Sequence, residues 1–234
     1  LNNGGKMREL KRLTLLCGHY GSGKTNIAVN IAAELKKQGG NVAIADLDIV
    51  NPYFRAKDSV EEFKKLGIRL ICSEYANTNL DIPALPQEMY AVTDDRTLKV
   101  VLDIGGDDRG ALVLGRLAPA ITAENDYEML MVVNCFRPLT RDAESTIEVM
   151  REIETAGKIK FTGLVNNSNL GAETTEADVL SSVSYAENVS ELSGLPIFMT
   201  TVEKSLFERL SPKIENLFPL DLQRYIFTPQ GDNQ

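Results

Sequence analysis

The segment Gly18 to Thr25 has the residue types and the spacing needed to hold a phosphate group. It fits the pattern G-x-x-x-x-G-K-[ST], whose glycines allow a tight turn that brings backbone N–H groups against phosphate oxygens. An apolar run precedes the segment and a helix-period run follows it, so the start of that helix would favour a bound anion. The segment is therefore predicted to be a P-loop that holds the phosphates of a purine nucleotide, with MgATP as the favoured ligand.

Two side chains of this loop have distinct predicted roles. Lys24 can reach the outer phosphates and is a predicted catalytic residue, whereas the Thr25 hydroxyl can ligate Mg²⁺. The nucleotide-binding residues predicted here are Gly21, Ser22, Gly23, Lys24, Thr25 and Asn26.

A carboxylate is predicted to lie near that metal ion. Asp103 ends the apolar run 99–102, and a carboxylate at such a strand end would hold Mg²⁺, usually through water. Gly105 and Gly106 follow and would let the backbone approach the γ-phosphate. Residues 107–109 are either switch residues or the solvated, capping start of a helix.

A second acidic pair follows another predicted strand. Asp46 and Asp48 are two residues apart and could face the same metal ion and water, although an acidic capping turn is the alternative. Asp48 is the candidate metal ligand and the catalytic residue that orients the attacking water, while Asp46 has a supporting or structural role. The loop that follows, 51–55, carries Tyr53 and Phe54, which either pack internally or contact a partner or substrate.

Short apolar runs alternate with helix-period segments along the chain. Because the runs are apolar throughout, both faces of the sheet should be covered by helices, which predicts an α/β three-layer sandwich with a mainly parallel sheet and the P-loop nucleoside triphosphatase fold. Ligands on such sheets bind beyond the carboxyl ends of the strands, where the candidate residues lie. Strands are predicted at 12–17, 41–46, 68–72, 99–103, 127–134, 161–166 and 196–200, and helices at 24–37, 59–66, 109–123, 140–156 and 175–193.

Several local expectations complete this picture. Pro119 could break the helix in which it lies, the stretch 73–87 is expected to be irregular, and 218–225 could form a short helix. Residues 1–9 are interpreted as an N-terminal extension or an expression remnant, 10–227 as a single domain, and 228–234 as a disordered tail.

Composition limits the classes of partner. The 234 residues carry a formal net charge of −8 without a basic cluster, which argues against nucleic acid or an anionic membrane surface as the main partner. Three cysteines without paired spacing indicate reduced thiols and a cytoplasmic protein. Apolar stretches are too short for a membrane span, so no stable membrane insertion is expected.

The motifs resemble those of one family over about residues 10–210. The P-loop, the Asp46-x-Asp48 pair and Asp103 with its glycines are similar to those of the MinD/ParA/ArsA and nitrogenase-iron-protein group of P-loop ATPases, which includes CobQ/CobB/MinD/ParA nucleotide-binding domains. The resemblance implies that Asp48 lies in a first switch and Asp103 in a second. It also implies a parallel strand between the P-loop strand and the Asp103 strand. The base-binding residues that it implies are Asn166 or Asn167 and, on the other wall of the pocket, Thr201 and Val202.

One position departs from this family. Many members carry a second lysine early in the loop, which crosses a nucleotide-sandwiched homodimer, but here that place is taken by His19. A nucleotide-dependent homodimer is therefore an open expectation. The chain also has no cysteine pair that could bridge a metal cluster between subunits.

Three functions fit these observations. The first is an ATPase switch that binds ATP and ADP with Mg²⁺, hydrolyses ATP slowly and signals to a protein partner. The second is a kinase or ligase that acts on a small acidic metabolite near 51–55 and 73–87, and the third is a nucleotide-binding module without hydrolysis. GTP is disfavoured because the Asn-Lys-x-Asp motif is missing and 166–169 lacks its carboxylate.

Overall fold

The computed structural model describes residues 8–47, 57–72, 87–106 and 108–222. In these residues eight β-strands alternate with seven α-helices. The strands are β1 Leu13–Cys17, β2 Val42–Leu47, β3 Arg69–Cys72, β4 Lys99–Ile104, β5 Tyr127–Val133, β6 Gly163–Asn166, β7 Ile197–Glu203 and β8 Leu217–Leu220. The helices are α1 Lys24–Lys37, α2 Lys57–Leu66, α3 Gln87–Asp94, α4 Asp108–Glu124, α5 Ala143–Gly157, α6 Glu176–Ser193 and α7 Lys204–Leu210.

The strands form one sheet in the order β3-β2-β4-β1-β5-β6-β7-β8, and each neighbouring pair is parallel. Successive residues of β1 face opposite sides of this sheet. Leu13 and Leu15 belong to one core cluster, and Leu16 belongs to another. The strands are apolar throughout because both of their faces are buried.

Helices cover the two faces. Leu117 of α4 and Met150 of α5 pack in the first cluster, while Ile27 of α1 and Phe63 of α2 pack in the second. The predicted three-layer α/β sandwich with a parallel sheet is thereby confirmed. No helix among the described residues is both long and apolar enough to cross a membrane.

The strand that carries Asp103 lies directly beside the P-loop strand. Leu16 of β1 is in register with Asp103 of β4, so the expectation of an intervening strand is wrong. The physical reason is that β4 fills the place between β1 and β2, pairing with each along its length. Asp103 is consequently one strand spacing, about 4.8 Å, from the strand that leads into the P-loop.

Helix α4 continues through Pro119. Proline removes one backbone donor from a helix, but Leu117, Ala118 and Ile121 around it are buried in the core. Because this apolar face is packed in the core, the helix continues to Glu124 and is not broken at Pro119.

The last part of the described chain differs from the sequence-based expectation. The predicted helix at 218–225 is wrong for its first residues, because 217–220 form the edge strand β8. Phe218 and Leu220 are buried there, and Pro219 is tolerated because an edge strand has one unpaired side. Two short helices, α3 and α7, were not predicted, and α3 begins at Gln87. Residues 73–86 lie outside the described residues.

A buried arginine fixes the start of β1. Arg12 forms a salt bridge with Glu124 at the end of α4 and donates to the backbone oxygens of Val92 at 3.0 Å and Leu98 at 3.1 Å. Both partners of the ion pair are less than a tenth exposed. Arg12 therefore ties the amino end of the P-loop strand to α3 and α4 on one face of the sheet.

Candidate functional site

The loop between β1 and α1 depends on glycine at three places. Gly18, Gly21 and Gly23 have φ values of 150°, 75° and 91°, which side-chain-bearing residues rarely adopt. A Cβ atom on Gly18 would lie 2.4 Å from the backbone oxygen of Val132, and one on Gly23 would lie 2.2 Å from Nδ2 of Asn167. The glycines therefore permit both the turn and the close approach of neighbouring strand ends.

Lys24 begins α1 and folds back over this loop. Its Nζ donates to the backbone oxygen of Gly18 at 3.0 Å and to that of His19 at 3.3 Å. The side chain is buried, so the ammonium group is held at the loop instead of extending into solvent. This is the placement that a lysine needs to neutralise phosphate oxygens cradled by the same loop.

Thr25 and Asp103 form the candidate metal site. Thr25 Oγ1 donates to Asp103 Oδ2 at 2.6 Å, and Asp103 is fully buried. A hydroxyl and a carboxylate oxygen at this separation suit Mg²⁺, which prefers hard oxygen ligands and keeps several waters and phosphate oxygens as its remaining ligands. A cluster of three or more His, Cys, Asp or Glu side chains is not found in the described part of the chain. The pair therefore fits a Mg²⁺ that is completed by a nucleotide.

The second acidic position is brought to the same place. Asp46 of β2 is in register with Asp103 of β4, and both are buried. Residues in register on parallel strands present their side chains to the same face, so the two carboxylates share one side of the sheet. Asp48, the loop 51–55 and Asp107 lie outside the described residues, and the roles predicted for them remain predictions.

The backbone that follows Asp103 lies against the P-loop. A Cβ atom on Gly106 would lie 2.3 Å from the backbone oxygen of Gly18, and one on Gly110 would lie 2.5 Å from that of Gly105. Glycine is required at these places because backbone meets backbone. Helix α4 starts at Asp108, two residues beyond this contact.

A cavity of about 380 Å³ extends from the P-loop across the ends of β6, β7 and β8. It includes the predicted base-binding residues Asn167, Thr201 and Val202 together with Gly23 and Asn26 of the P-loop region. Its lining consists of Gly23, Asn26, Asn167, Ser168, Asn169, Gly171, Ala172, Thr174, Val179, Thr201, Val202, Glu203, Leu220 and Leu222.

The two asparagines at the end of β6 have different surroundings. Asn167 Nδ2 donates to the backbone oxygen of Ser22 at 2.6 Å, while its Oδ1 accepts from Thr201 Oγ1 at 2.6 Å. Asn166 is fully buried and donates from Nδ2 to Ser182 Oγ at 3.0 Å. The structure therefore places Asn167 between the P-loop and β7, whereas Asn166 faces α6 and does not line the cavity.

Sequence reasoning missed Arg137. Its Nε donates to the backbone oxygen of Gly21 at 2.9 Å, which places a cation against the P-loop. The turn that carries it is connected to the β6 loop, because the backbone N–H of Cys135 donates to Ser168 Oγ and Asn134 Nδ2 donates to the backbone oxygen of Asn169. The position of Arg137 in the sequence could have indicated this contact. Residues 134–137 follow β5, and the carboxyl end of β5 lies beside that of β1.

One buried thiol lies under the loop. Burial raises the pKa of the Cys17 thiol far above its usual range, and the nearby Lys24 ammonium lowers it only in part. Cys17 therefore stays protonated at neutral pH and acts as a small apolar side chain in the core.

These features together define a P-loop nucleotide-binding protein. They are a loop that depends on glycine, a lysine that folds back over that loop, a threonine hydrogen-bonded to an aspartate near a strand end, and an adjoining cavity. Its particular family follows from sequence comparison. The model of the CobQ/CobB/MinD/ParA nucleotide binding domain matches residues 16–197, which is more than three-quarters of the chain. The chain therefore belongs to this family. Curated proteins offer no significant match.

Solved structures share the fold at low sequence identity. The cell division protein FtsY from Thermotoga maritima has a TM-score of 0.56 at 16% identity, with 86% of this chain and 66% of that chain covered. FtsY from Mycoplasma mycoides has a TM-score of 0.52 at 20% identity, with coverages of 85% and 63%. Chloroplast FtsY from Physcomitrella patens has a TM-score of 0.52 at 17% identity, with coverages of 86% and 60%. The chain thus spans about two-thirds or less of these proteins.

Proposed function

We propose that the protein is a cytoplasmic MgATP-binding ATPase that acts as a nucleotide-dependent switch toward a protein partner. The observation that carries this proposal is the 2.6 Å hydrogen bond between Thr25 Oγ1 and Asp103 Oδ2, beside the inward Lys24. These residues supply oxygen ligands for Mg²⁺ and a cation for the phosphates at one edge of the sheet. Membership of a nucleotide-binding family supports the same assignment.

The proposed reaction is transfer of the γ-phosphoryl group to water. The bond between the γ-phosphorus and the β–γ bridging oxygen breaks, a bond to the water oxygen forms, and the water proton leaves as ADP and phosphate are released. Lys24 and the loop N–H groups stabilise the charge that develops on the phosphate oxygens. Thr25 and Asp103 would hold Mg²⁺, which would neutralise part of the same charge, and Asp48 is proposed to orient the water.

Adenine is proposed as the base. In the Asn-Lys-x-Asp motif that reads guanine, a carboxylate follows the asparagine by three residues. Counted from Asn167, which occupies the cavity beside the P-loop, that place holds Leu170. The loop therefore lacks the side chain that would accept the two N–H groups of guanine.

The switch is proposed to act through helix α4. The Gly105–Gly106 segment lies against the backbone of the P-loop and leads into that helix, so contacts to the γ-phosphate would bias its position. Leu112 of α4 is 63% exposed and Tyr20 of the P-loop is 70% exposed. These exposed apolar side chains support a protein partner near this edge, including a second copy of the chain.

Hydrogen exchange tests the switch. With Mg²⁺ present, exchange at 108–124 should be slower with a non-hydrolysable ATP analogue than with ADP, because only the former has a γ-phosphate to contact the preceding segment. Equal exchange in the two states would contradict the switch. Measurement of the molecular mass in the same two states tests for the nucleotide-dependent homodimer. In this chain His19 stands where many family members have the lysine that crosses that dimer.

The kinase or ligase alternative makes a different prediction. It requires an acceptor site near 51–55 and 73–87, and the structure describes only Gln87 of these residues. ATP consumption that starts only when a small carboxylic acid is added would favour this alternative. Release of phosphate without an acceptor would favour the ATPase.

A further inference from the structure

Arg137 contacts the P-loop but has no part in the reaction proposed above. Its Nε donates to the backbone oxygen of Gly21 at 2.9 Å. A Cβ atom on Gly21 would lie 3.5 Å from Nε and 3.8 Å from Cδ of Arg137, so the stem of the arginine packs over this glycine. Among the side chains that the structure describes, no carboxylate forms an ion pair with Arg137. The contact with the loop therefore accounts for the position of this side chain.

The turn that carries Arg137 has its own hydrogen bonds. Asn134 follows β5, and its Oδ1 accepts from the backbone N–H of Phe136 at 3.0 Å. The backbone oxygen of Asn134 accepts from Thr140 Oγ1 at 2.7 Å and from the backbone N–H of Arg137 at 3.1 Å. Asn134 and Thr140 are both fully buried. The arginine is thus presented to the P-loop from a turn that is anchored at both ends.

Gly21 lies in a tight turn of the P-loop. The backbone N–H of Ser22 donates to the backbone oxygen of His19 at 3.2 Å, which closes a β-turn over 19–22. Gly21 is the third residue of this turn, where its φ of 75° favours glycine. The C=O and N–H of one trans peptide unit point in opposite directions. The unit between Gly21 and Ser22 is therefore held at both ends, by Arg137 on one side and by His19 on the other.

The same turn holds the lysine of the loop. The backbone oxygen of His19 also accepts from Lys24 Nζ at 3.3 Å, and the same nitrogen contacts the backbone oxygen of Gly18 at 3.0 Å. A chain of contacts thus runs from Arg137 through the 19–22 turn and the His19 oxygen to the Lys24 ammonium group. A displacement of the turn would shift Lys24 and the backbone N–H groups that would face phosphate oxygens.

We propose that Arg137 is a positioning residue of the phosphate site, which holds the Gly21 carbonyl and so keeps the 19–22 turn and Lys24 ready to bind phosphate. The hydrogen bond from Nε carries this role, and the positive charge does not. A loop that is held in its binding conformation in advance loses less conformational entropy when the ligand binds. This inference rests on the proposed function, since it assumes that the nucleotide phosphates occupy the P-loop.

Two substitutions separate the hydrogen bond from the charge. In Arg137→Gln the side-chain nitrogen is as many bonds from Cα as Nε of arginine, so the donor to Gly21 is kept and the charge is lost. Arg137→Met has a side chain of similar length and lacks both. Titration calorimetry with ADP and Mg²⁺ should show about fivefold weaker binding for Arg137→Met, the usual effect of losing one hydrogen bond. Arg137→Gln should bind ADP within about twofold of the unaltered chain.

Hydrogen exchange without nucleotide examines the same contact independently of the ligand. Exchange at 18–25 should be faster in Arg137→Met than in Arg137→Gln and the unaltered chain, because the turn opens more often without its donor. Arg141→Met is the matched control, since this arginine lies just beyond the same turn and its side chain is 76% exposed. It should leave both affinity and exchange unchanged. Thermal unfolding of each variant verifies that it is folded.

Two results would overturn the inference. If Arg137→Gln bound ADP as weakly as Arg137→Met, the charge and not the hydrogen bond would be responsible. Unchanged affinity and exchange in a folded Arg137→Met would show that the arginine does not hold the turn. Failure of the unaltered chain to bind ADP would contradict the proposed function, and the exchange of the free protein would then decide alone whether Arg137 holds the turn.

Discussion

Thr25 Oγ1 donates a hydrogen bond to Asp103 Oδ2 at 2.6 Å, although 78 residues separate the two in sequence. The contact joins the first turn of α1 to the end of β4. It forms because β4 is the immediate neighbour of β1, which places a strand-end carboxylate beside the loop that β1 enters. The bond connects the two halves of the proposed Mg²⁺ site through one short contact.

Substitution Thr25→Val should remove the contribution of Mg²⁺ to nucleotide binding. Valine keeps the shape of threonine but lacks the hydroxyl, so the proposed metal site loses one ligand and Asp103 loses its donor. We expect the affinity for ADP with Mg²⁺ to fall about tenfold or more, close to its value with EDTA. Titration calorimetry with and without EDTA measures this. The control is Thr155→Val, at an exposed position of α5. If Mg²⁺ increased the affinity of Thr25→Val for ADP as much as that of the unaltered chain, the proposed metal site would be contradicted.

Asn167→Ala should weaken both stability and nucleotide binding. The amide bridges the backbone oxygen of Ser22 and the hydroxyl of Thr201, so its loss removes the donor to the buried Ser22 oxygen and leaves Thr201 with only its 3.4 Å hydrogen bond to the backbone oxygen of Asn166. We expect the free energy of unfolding to fall by about 1–3 kcal/mol and the affinity for ADP to fall about tenfold. Urea unfolding and titration calorimetry measure the two effects, with the exposed Asn188→Ala as control. Unaltered affinity in a folded Asn167→Ala would show that this bridge does not shape the nucleotide site.

Arg12→Ala should destabilise the fold without altering the chemistry of the site. It leaves Glu124 as a buried charge without its partner and removes donors from the ends of α3 and α4. Breaking such a pair costs about 3–5 kcal/mol in the free energy of unfolding. The double substitution Arg12→Met with Glu124→Leu should recover most of that loss, because it removes both charges together. Urea unfolding measures both variants, and a loss below about 1 kcal/mol for Arg12→Ala would contradict the assigned role.

Cys17 should resist alkylation in the native protein. Burial raises the pKa of its thiol, so the reactive thiolate is scarce at neutral pH and the sulfur is also shielded from reagent. Cys135 is partly exposed and should react first. Iodoacetamide treatment followed by peptide mass spectrometry distinguishes the two thiols. Equal labelling of Cys17 and Cys135 in native conditions, with both labelled in urea, would contradict the burial of Cys17.

Local patterns predicted most of the secondary structure and the phosphate loop. The P-loop motif requires a strand before it and a helix after it, and β1 and α1 provide both. The apolar strands predicted a parallel sheet because residues buried on both faces do not alternate in polarity. These features depend on nearby residues, so they could be read from sequence spacing alone.

Other features depend on how distant segments meet. The sequence indicated that Asp103 ends a strand, but its adjacency to β1 is a property of strand order, which the family resemblance described incorrectly. The strand β8 contains a proline and is only four residues long, so its pattern does not distinguish it from a loop or a helix start. Arg137 likewise became a candidate only when the sheet placed the end of β5 beside the P-loop.

The most direct test of the proposed function is phosphate release from MgATP by the purified chain without any added acceptor. We expect slow but measurable release that Lys24→Ala abolishes, because this substitution removes the cation that folds over the phosphate loop. Lys37→Ala, an exposed lysine at the other end of the same helix, should release phosphate at the rate of the unaltered chain. Release that is equal in Lys24→Ala and in the unaltered chain, or no release by the unaltered chain at any magnesium concentration, would contradict the assignment as an ATPase.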